Sequence, residues 1–199
     1  MNTLSHFLMT AALEKSLPRV PIVKSAFLLG SIAPDLPLWI LSISSISYYH
    51  FIQGWSLADT FNFVFGELYF HNPFWIASHN FLHSLIILLL TLSLLWRSRR
   101  NIRSRERWLF WFFVACLLHT GVDILTHTND GPLLFFPLEW TIRFHSPISY
   151  WDPQYHGREF QIFEHVLTIV LLLYILRSQI CRYLRSLIRF YRPNSGVSR

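Results

Sequence analysis

Charge is scarce in this chain. Only 14% of its 199 residues are Asp, Glu, Lys or Arg, and the 11 acids are outnumbered by 17 Lys and Arg. Globular chains carry about 25% charged residues, so this one is poor in the side chains that solvate an ordinary surface. Cysteine is nearly absent. Cys116 sits in an apolar run and Cys181 in a basic tail, and no disulfide framework follows from such a pair. Period-2 alternation is missing and hairpin dipeptides are few, which argues against strands. There is no internal repeat, no low-complexity segment and no H-E-x-x-H, so an intramembrane zinc protease is disfavoured. The opening MNTLSHFLMTAALEK has neither the basic n-region nor the small-residue cleavage site of a secretory signal and is expected to stay on the chain.

What the chain does have is apolar bulk, 52% hydrophobic and 17% aromatic. Its few charges are also sorted. Six Arg lie between Arg97 and Arg107, six more between Arg177 and Arg199, and Lys15, Arg19 and Lys24 cluster near the start; nine of the 11 acids lie outside these stretches. Cytoplasmic loops of membrane proteins retain Lys and Arg. The expectation is therefore a multi-pass protein of the bacterial inner (cytoplasmic) membrane, with the basic loop and the C-terminal tail cytoplasmic. The net charge of +6 suits anionic lipid headgroups, worth about 1 kcal/mol per cation near the surface. Membrane lipids are the expected partner and nucleic acid is not.

The apolar runs are Val20–Ala33, Leu36–Ile52, Phe81–Trp96, Trp108–Leu125 and Phe163–Leu176. None reaches the ~20 residues of a comfortable spanning helix, and the shorter ones suit tilted or half-buried helices. The predicted fold is an all-α helical membrane bundle with short spanning or half-buried helices and aromatic-rich connectors, Gln53–Ala77 and Asn129–Gly157. Residues 1–180 form one membrane-associated metal-site domain and 181–199 a basic cytoplasmic tail. The Arg97–Arg107 loop makes its two flanking helices antiparallel neighbours.

Depth can be counted from the basic ends. His83 lies 14 residues before Arg97; His119 and Asp123 lie 12 and 16 after Arg107; His165 lies 12 before Arg177; His6 lies 13 before Arg19; Asp35 lies 11 after Lys24. At 1.5 Å per helical residue all six fall roughly 16–24 Å from a cationic end. Ionisable residues buried in a bundle are costly and mark functional sites. Imidazole and carboxylate are the ligands of zinc without thiolate, and an Asp among them also suits manganese. His119 and Asp123 are i,i+4 and share a helix face; His79 and His83 repeat that spacing, and His127 continues the His119 face by two more turns. Asp123 lies inside WLFWFFVACLLHTGVDIL with no cation nearby in sequence, so a metal, a neutralising proton or His119 must balance it. The candidate metal ligands are His6, Asp35, His83, His119 and Asp123, with His79, His127 and His165 as further candidates. Asp123 and Glu164 are candidate proton acceptors, and Ser84 a candidate to hydrogen-bond a ligand. Asp35 also reads as a turn residue before Pro37. His50, His71, His145 and His156 read as packed, hydrogen-bonded residues.

Four motifs then stand in a recognisable order: Ser5–His6, GSIAPD (Gly30 to Asp35), His83–Ser84 within SHNFLHSL, and HTGVDILTHTNDGPLLFFP (His119 to Pro137). Over about Asn2 to Pro137 the chain resembles a bacterial family of LexA-regulated, inner-membrane-associated metal-dependent hydrolases, itself distantly similar to helical zinc phospholipases C and single-strand nucleases. The resemblance implies clustered zinc and hydrolysis of a phosphoester, such as a lipid or lipid-linked phosphate. The chain departs from the pattern in four places. Leu36 and Pro37 follow Asp35 where a second Asp is usual, Asn80 stands in place of an Arg, Leu82 replaces a Thr before His83, and the His79–His83 spacing is one residue shorter. A non-enzymatic metal-stabilised scaffold or sensor is the alternative, and a haem bundle with paired His a third reading.

Overall fold

The computed structural model describes residues 1–100 and 105–191, with side chains through 187. Residues 101–104 of the basic loop and 192–199 of the basic tail lie outside the described residues. The elements in chain order are α1 (Thr3–Ser16), α2 (Lys24–Gly30), α3 (Leu36–Ile46) with a π-helical extension Ser47–Ile52, α4 (Leu57–Asn62) running through a π turn into α5 (Tyr69–His71), α6 (Pro73–Asn80), α7 (Leu85–Leu95), α8 (Arg105–Thr126) and α9 (Gly157–Tyr191). Among the described residues there is no strand, only an isolated bridge between Leu133 and Arg143. The all-helical expectation holds.

Among the described residues three stretches are long and apolar enough to cross a membrane: Pro73–Arg100, Arg105–Thr126 and Gly157–Leu187. Large side chains stand exposed along them, among them Leu90, Leu94, Ile162, Val166, Ile169 and Leu173. In water such a surface is a liability; against lipid tails it costs nothing. The first of these spans starts earlier than the apolar run beginning at Phe81. The reason is local. The Asn72 side chain accepts hydrogen bonds from the amides of Phe74 and Trp75, and Pro73 takes the first helical position, where its missing N–H is no loss. Much of Gln53–Ala77, read as a connector, is thus helical.

That span is interrupted. The chain leaves helical geometry at Phe81–Ser84 and resumes at Leu85. Ser84 caps the new helix by accepting from the Ile87 amide and donates to the Phe136 carbonyl, so it serves the backbone rather than a ligand. Asn80, on the other side of the break, donates to the Ile76 carbonyl at 2.9 Å and accepts from the Leu133 amide at 2.8 Å. Ile76, Leu133 and Phe136 pack together behind it. Asn80 therefore fastens the loop after α8 to the broken span. Asn80→Ala strands the Leu133 amide in an apolar cluster and is expected to destabilise the protein by about 1–3 kcal/mol. Denaturation in detergent measures the loss, and hydrogen exchange at Leu133 locates it.

Helix α8 is the centre of the assembly, with α2 and α7 against it and α1 resting on α9. Phe27 meets Trp111 edge-on at 5.9 Å between α2 and α8. Gly30 lets the same pair close up: a Cβ there would sit 2.2 Å from the Phe112 carbonyl oxygen. Helix α1 is held to α9 by Lys15, whose ammonium reaches the carbonyls of Tyr174 and Ile175, and by Ser5 opposite Thr168.

Candidate metal centre

The centre is built on α8 and completed by two non-helical corners. His119 and Asp123 share one face of α8. The Nδ1–H of His119 donates to the Ser31 carbonyl at 2.9 Å, just past the end of α2. His83 lies in the break between α6 and α7, and its Nδ1–H donates to the His79 carbonyl at 2.8 Å, a group with no helical partner because the helix has stopped. Both rings thereby present an unprotonated Nε2, and these two nitrogens face each other at 3.2 Å. Asp123 Oδ2 lies 2.9 Å from His119 Nε2 and 3.5 Å from His83 Nε2. Asp35 Oδ1 lies 3.3 Å and 3.8 Å from the same two atoms.

Asp35, His83, His119 and Asp123 each offer one ligand atom within 4.8 Å of the others. Ligands held about 2.0–2.2 Å from one zinc ion stand roughly 3–4 Å apart. Two lone pairs and two carboxylates pointed at one spot repel one another unless a cation lies among them, so these residues fit a divalent metal. They do not fit haem between that His pair, because 3.2 Å between the nitrogens leaves no room for a macrocycle.

His83, His119 and Asp123 are buried, and Asp35 is partly exposed. Asp35 occupies the N-cap position of α3 without capping it. Its oxygens instead take the Thr3 hydroxyl and approach His119.

The other candidates surround this group. His6 places Nε2 2.9 Å from Asp123 Oδ1 and stacks on His119 with centroids 3.8 Å apart, the position of a residue that orients a ligand. The Met1 amino group lies 2.9 Å from the same oxygen and 2.9 Å from Thr126 Oγ1. His127 donates from Nδ1 to the Asp123 backbone carbonyl at 2.9 Å, and burial lowers its pKa. His79 packs on His83 with centroids 4.4 Å apart.

His165 is not brought to the centre. It is exposed on α9 and donates to the Gln161 carbonyl. Glu164 faces inward instead, buried and accepting from the Asn2 amide at 2.9 Å. Consecutive helical positions point about 100° apart, and Glu164 and Thr168 already supply the face against α1. His50 hydrogen-bonds to the Trp55 carbonyl and His145 to the Asn129 side chain, and His145 is exposed rather than packed.

A cavity of about 690 Å³ opens over the centre, with Asp35, Asp123, His79 and His127 in its wall. The connector after α8 contributes Trp151 to that wall, whereas Trp140 and Phe144 lie outside it. Trp39 and Tyr69 also line it, and nothing in the local sequence of either signals that role.

Residues 1–183 match the family described as YdjM inner membrane protein. The chain belongs to the YdjM inner membrane protein family. Comparison with curated proteins and with solved structures gives no significant match. Membership of the YdjM family and the three apolar helices agree on a membrane location. All four centre residues fall within the part of the chain that the YdjM match covers.

Proposed function

We propose that this chain is a metal-dependent hydrolase of the LexA-regulated, inner-membrane-associated kind, acting on the phosphoester of a membrane lipid or a lipid-linked phosphate. The observation that carries this reading is the pair of backbone-locked imidazoles facing two carboxylates, two of whose members, Asp35 and Asp123, also line a cavity. Zinc is the metal that best suits the donor set. A divalent ion supplies electrophilic activation of a phosphoryl group and a nucleophilic water near neutral pH.

The rest falls to the chain. Ser31 and His79 fix the two rings through their carbonyls, and His6 steers Asp123. Hydrolysis forms a P–O bond from water and breaks the P–O bond to the alcohol. Asp35, the most exposed of the four, takes the proton from water and returns it to the oxygen of the leaving alcohol. Glu164 is a weaker choice as proton acceptor, since its carboxylate is engaged by Asn2 and lies outside the cavity wall. With the basic loop cytoplasmic, the centre sits toward the opposite end of α8, within reach of the outer bilayer surface.

A scaffold or sensor with a closed structural metal is the second reading, favoured by the burial of His83, His119 and Asp123. Turnover separates the two. The full chain in lipid nanodiscs is expected to release phosphate or headgroup from a lipid panel, to stop on chelation and to resume on adding zinc. Stoichiometric metal without turnover on any phosphoester would establish the scaffold reading.

A further inference from the structure

We infer that the cavity over the metal centre binds the ammonium end of an amine-bearing phosphoester, so that the substrate class is an aminoalcohol phosphate of the ethanolamine or choline type. This rests on the hydrolase reading and specifies its substrate. Charge gives the first argument. The wall holds four carboxylates, Asp35, Asp123, Asp130 and Asp152, and one cation, the Met1 ammonium, which lies 2.9 Å from Asp123 Oδ1. A divalent ion and that ammonium together leave one negative charge unmatched, beside a site that would have to receive a phosphate. A phosphate monoester or a glycerol phosphate would add to that negative charge. A phosphodiester with an ammonium group would bring its own compensation.

The aromatic wall gives the second argument. Arg143 lies 5.7 Å from the Tyr69 ring centre and 5.6 Å from that of Phe70, so those two rings already face a cation. Trp39 and Trp151 have no such partner among the described residues, and tryptophan is the strongest cation–π face. The Trp151 indole N–H donates to Asp130 Oδ2 at 2.7 Å, which sets a carboxylate at the edge of that ring. Asp130 Oδ1 accepts nothing among the described residues. An aromatic face with an adjoining carboxylate is the arrangement that holds an ammonium group.

Tryptophan fluorescence of the full chain in detergent, metal-free and zinc-loaded, tests the inference with phosphoethanolamine, phosphocholine, glycerol phosphate and inorganic phosphate as probes. The aminoalcohol phosphates are expected to bind about tenfold more tightly than the other two, a cation–π-sized difference. Asp130→Asn keeps an oxygen for Trp151 and is expected to erase that preference, weakening the aminoalcohol phosphates without weakening glycerol phosphate; Asp152→Asn is the second variant should the first fail to fold. Nanodiscs of ethanolamine against glycerol phospholipid show whether a lipid headgroup or a soluble ester is the source. Equal binding of all four probes, or a preference that survives both variants, overturns the inference. Hydrolysis without ammonium preference would defeat this inference alone, and ammonium-selective binding without hydrolysis of any ester would defeat the hydrolase reading alone.

Discussion

Asp123→Asn is expected to empty the metal centre. One oxygen of Asp123 lies within 3.5 Å of both imidazole Nε2 atoms, and the other takes His6 and the Met1 amino group. An amide of the same shape removes the charge that balances the ion. It also turns an NH2 toward groups that need an acceptor. Metal content is expected to fall from about one ion per chain to under about a tenth, and any hydrolysis by at least ~10²-fold, the upper end of what even outer-sphere changes cost. Elemental analysis of the purified protein checks it. His165→Ala is the control: exposed and outside the cluster, it is expected to leave metal content unchanged. Full metal retention in Asp123→Asn would place the ion elsewhere.

Gly30→Val is expected to have the largest effect on stability. The added Cβ would lie 2.2 Å from the Phe112 oxygen and 2.9 Å from Ala115 Cβ. A backbone oxygen cannot turn aside as a side chain can, so α2 has to move off α8. Overpacking of this kind costs about 3 kcal/mol or more. The movement also carries the neighbouring Ser31 carbonyl away from His119, so metal is lost along with stability. Thermal unfolding in detergent, with and without zinc, measures both. Gly121→Ala on α8 is the contrast: its Cβ would meet nothing within 4 Å, and replacing a helical glycine is expected to gain up to about 1 kcal/mol.

The sequence carried one coordinate of the centre well and another poorly. Distance along a helix from an Arg-rich end gives depth, and His6, Asp35, His83, His119 and Asp123 do lie together. Rotation about the helix axis is not contained in that count. His165 shares the depth but faces away, while Glu164, one residue earlier, turns inward. Where two residues lie on the same uninterrupted helix, as His119 and Asp123 do, periodicity supplies the rotation and the pair is legible. The break at Phe81–Ser84 was not legible, because PFWIASHNFLHSLIILLL contains no glycine and its only proline stands at the start. The interruption depends on Asn80 and Ser84 bonding to Leu133 and Phe136, more than 50 positions away. The connector before it was underread for a similar reason: short helices and π turns have too little periodicity to stand out.

Those distant bonds bear on how a ligand reaches the centre. The segment from Asp130 to Phe136 is pinned at three points: by Tyr69 at the Asp130 carbonyl, by Asn80 at the Leu133 amide and by Ser84 at the Phe136 carbonyl. Two of the three anchors flank the very break that carries His83. This stretch of the cavity wall and the corner that presents His83 are thus tied together, and lifting the one away would dismantle the other. A ligand of the cavity meets a wall that cannot open by peeling this segment back.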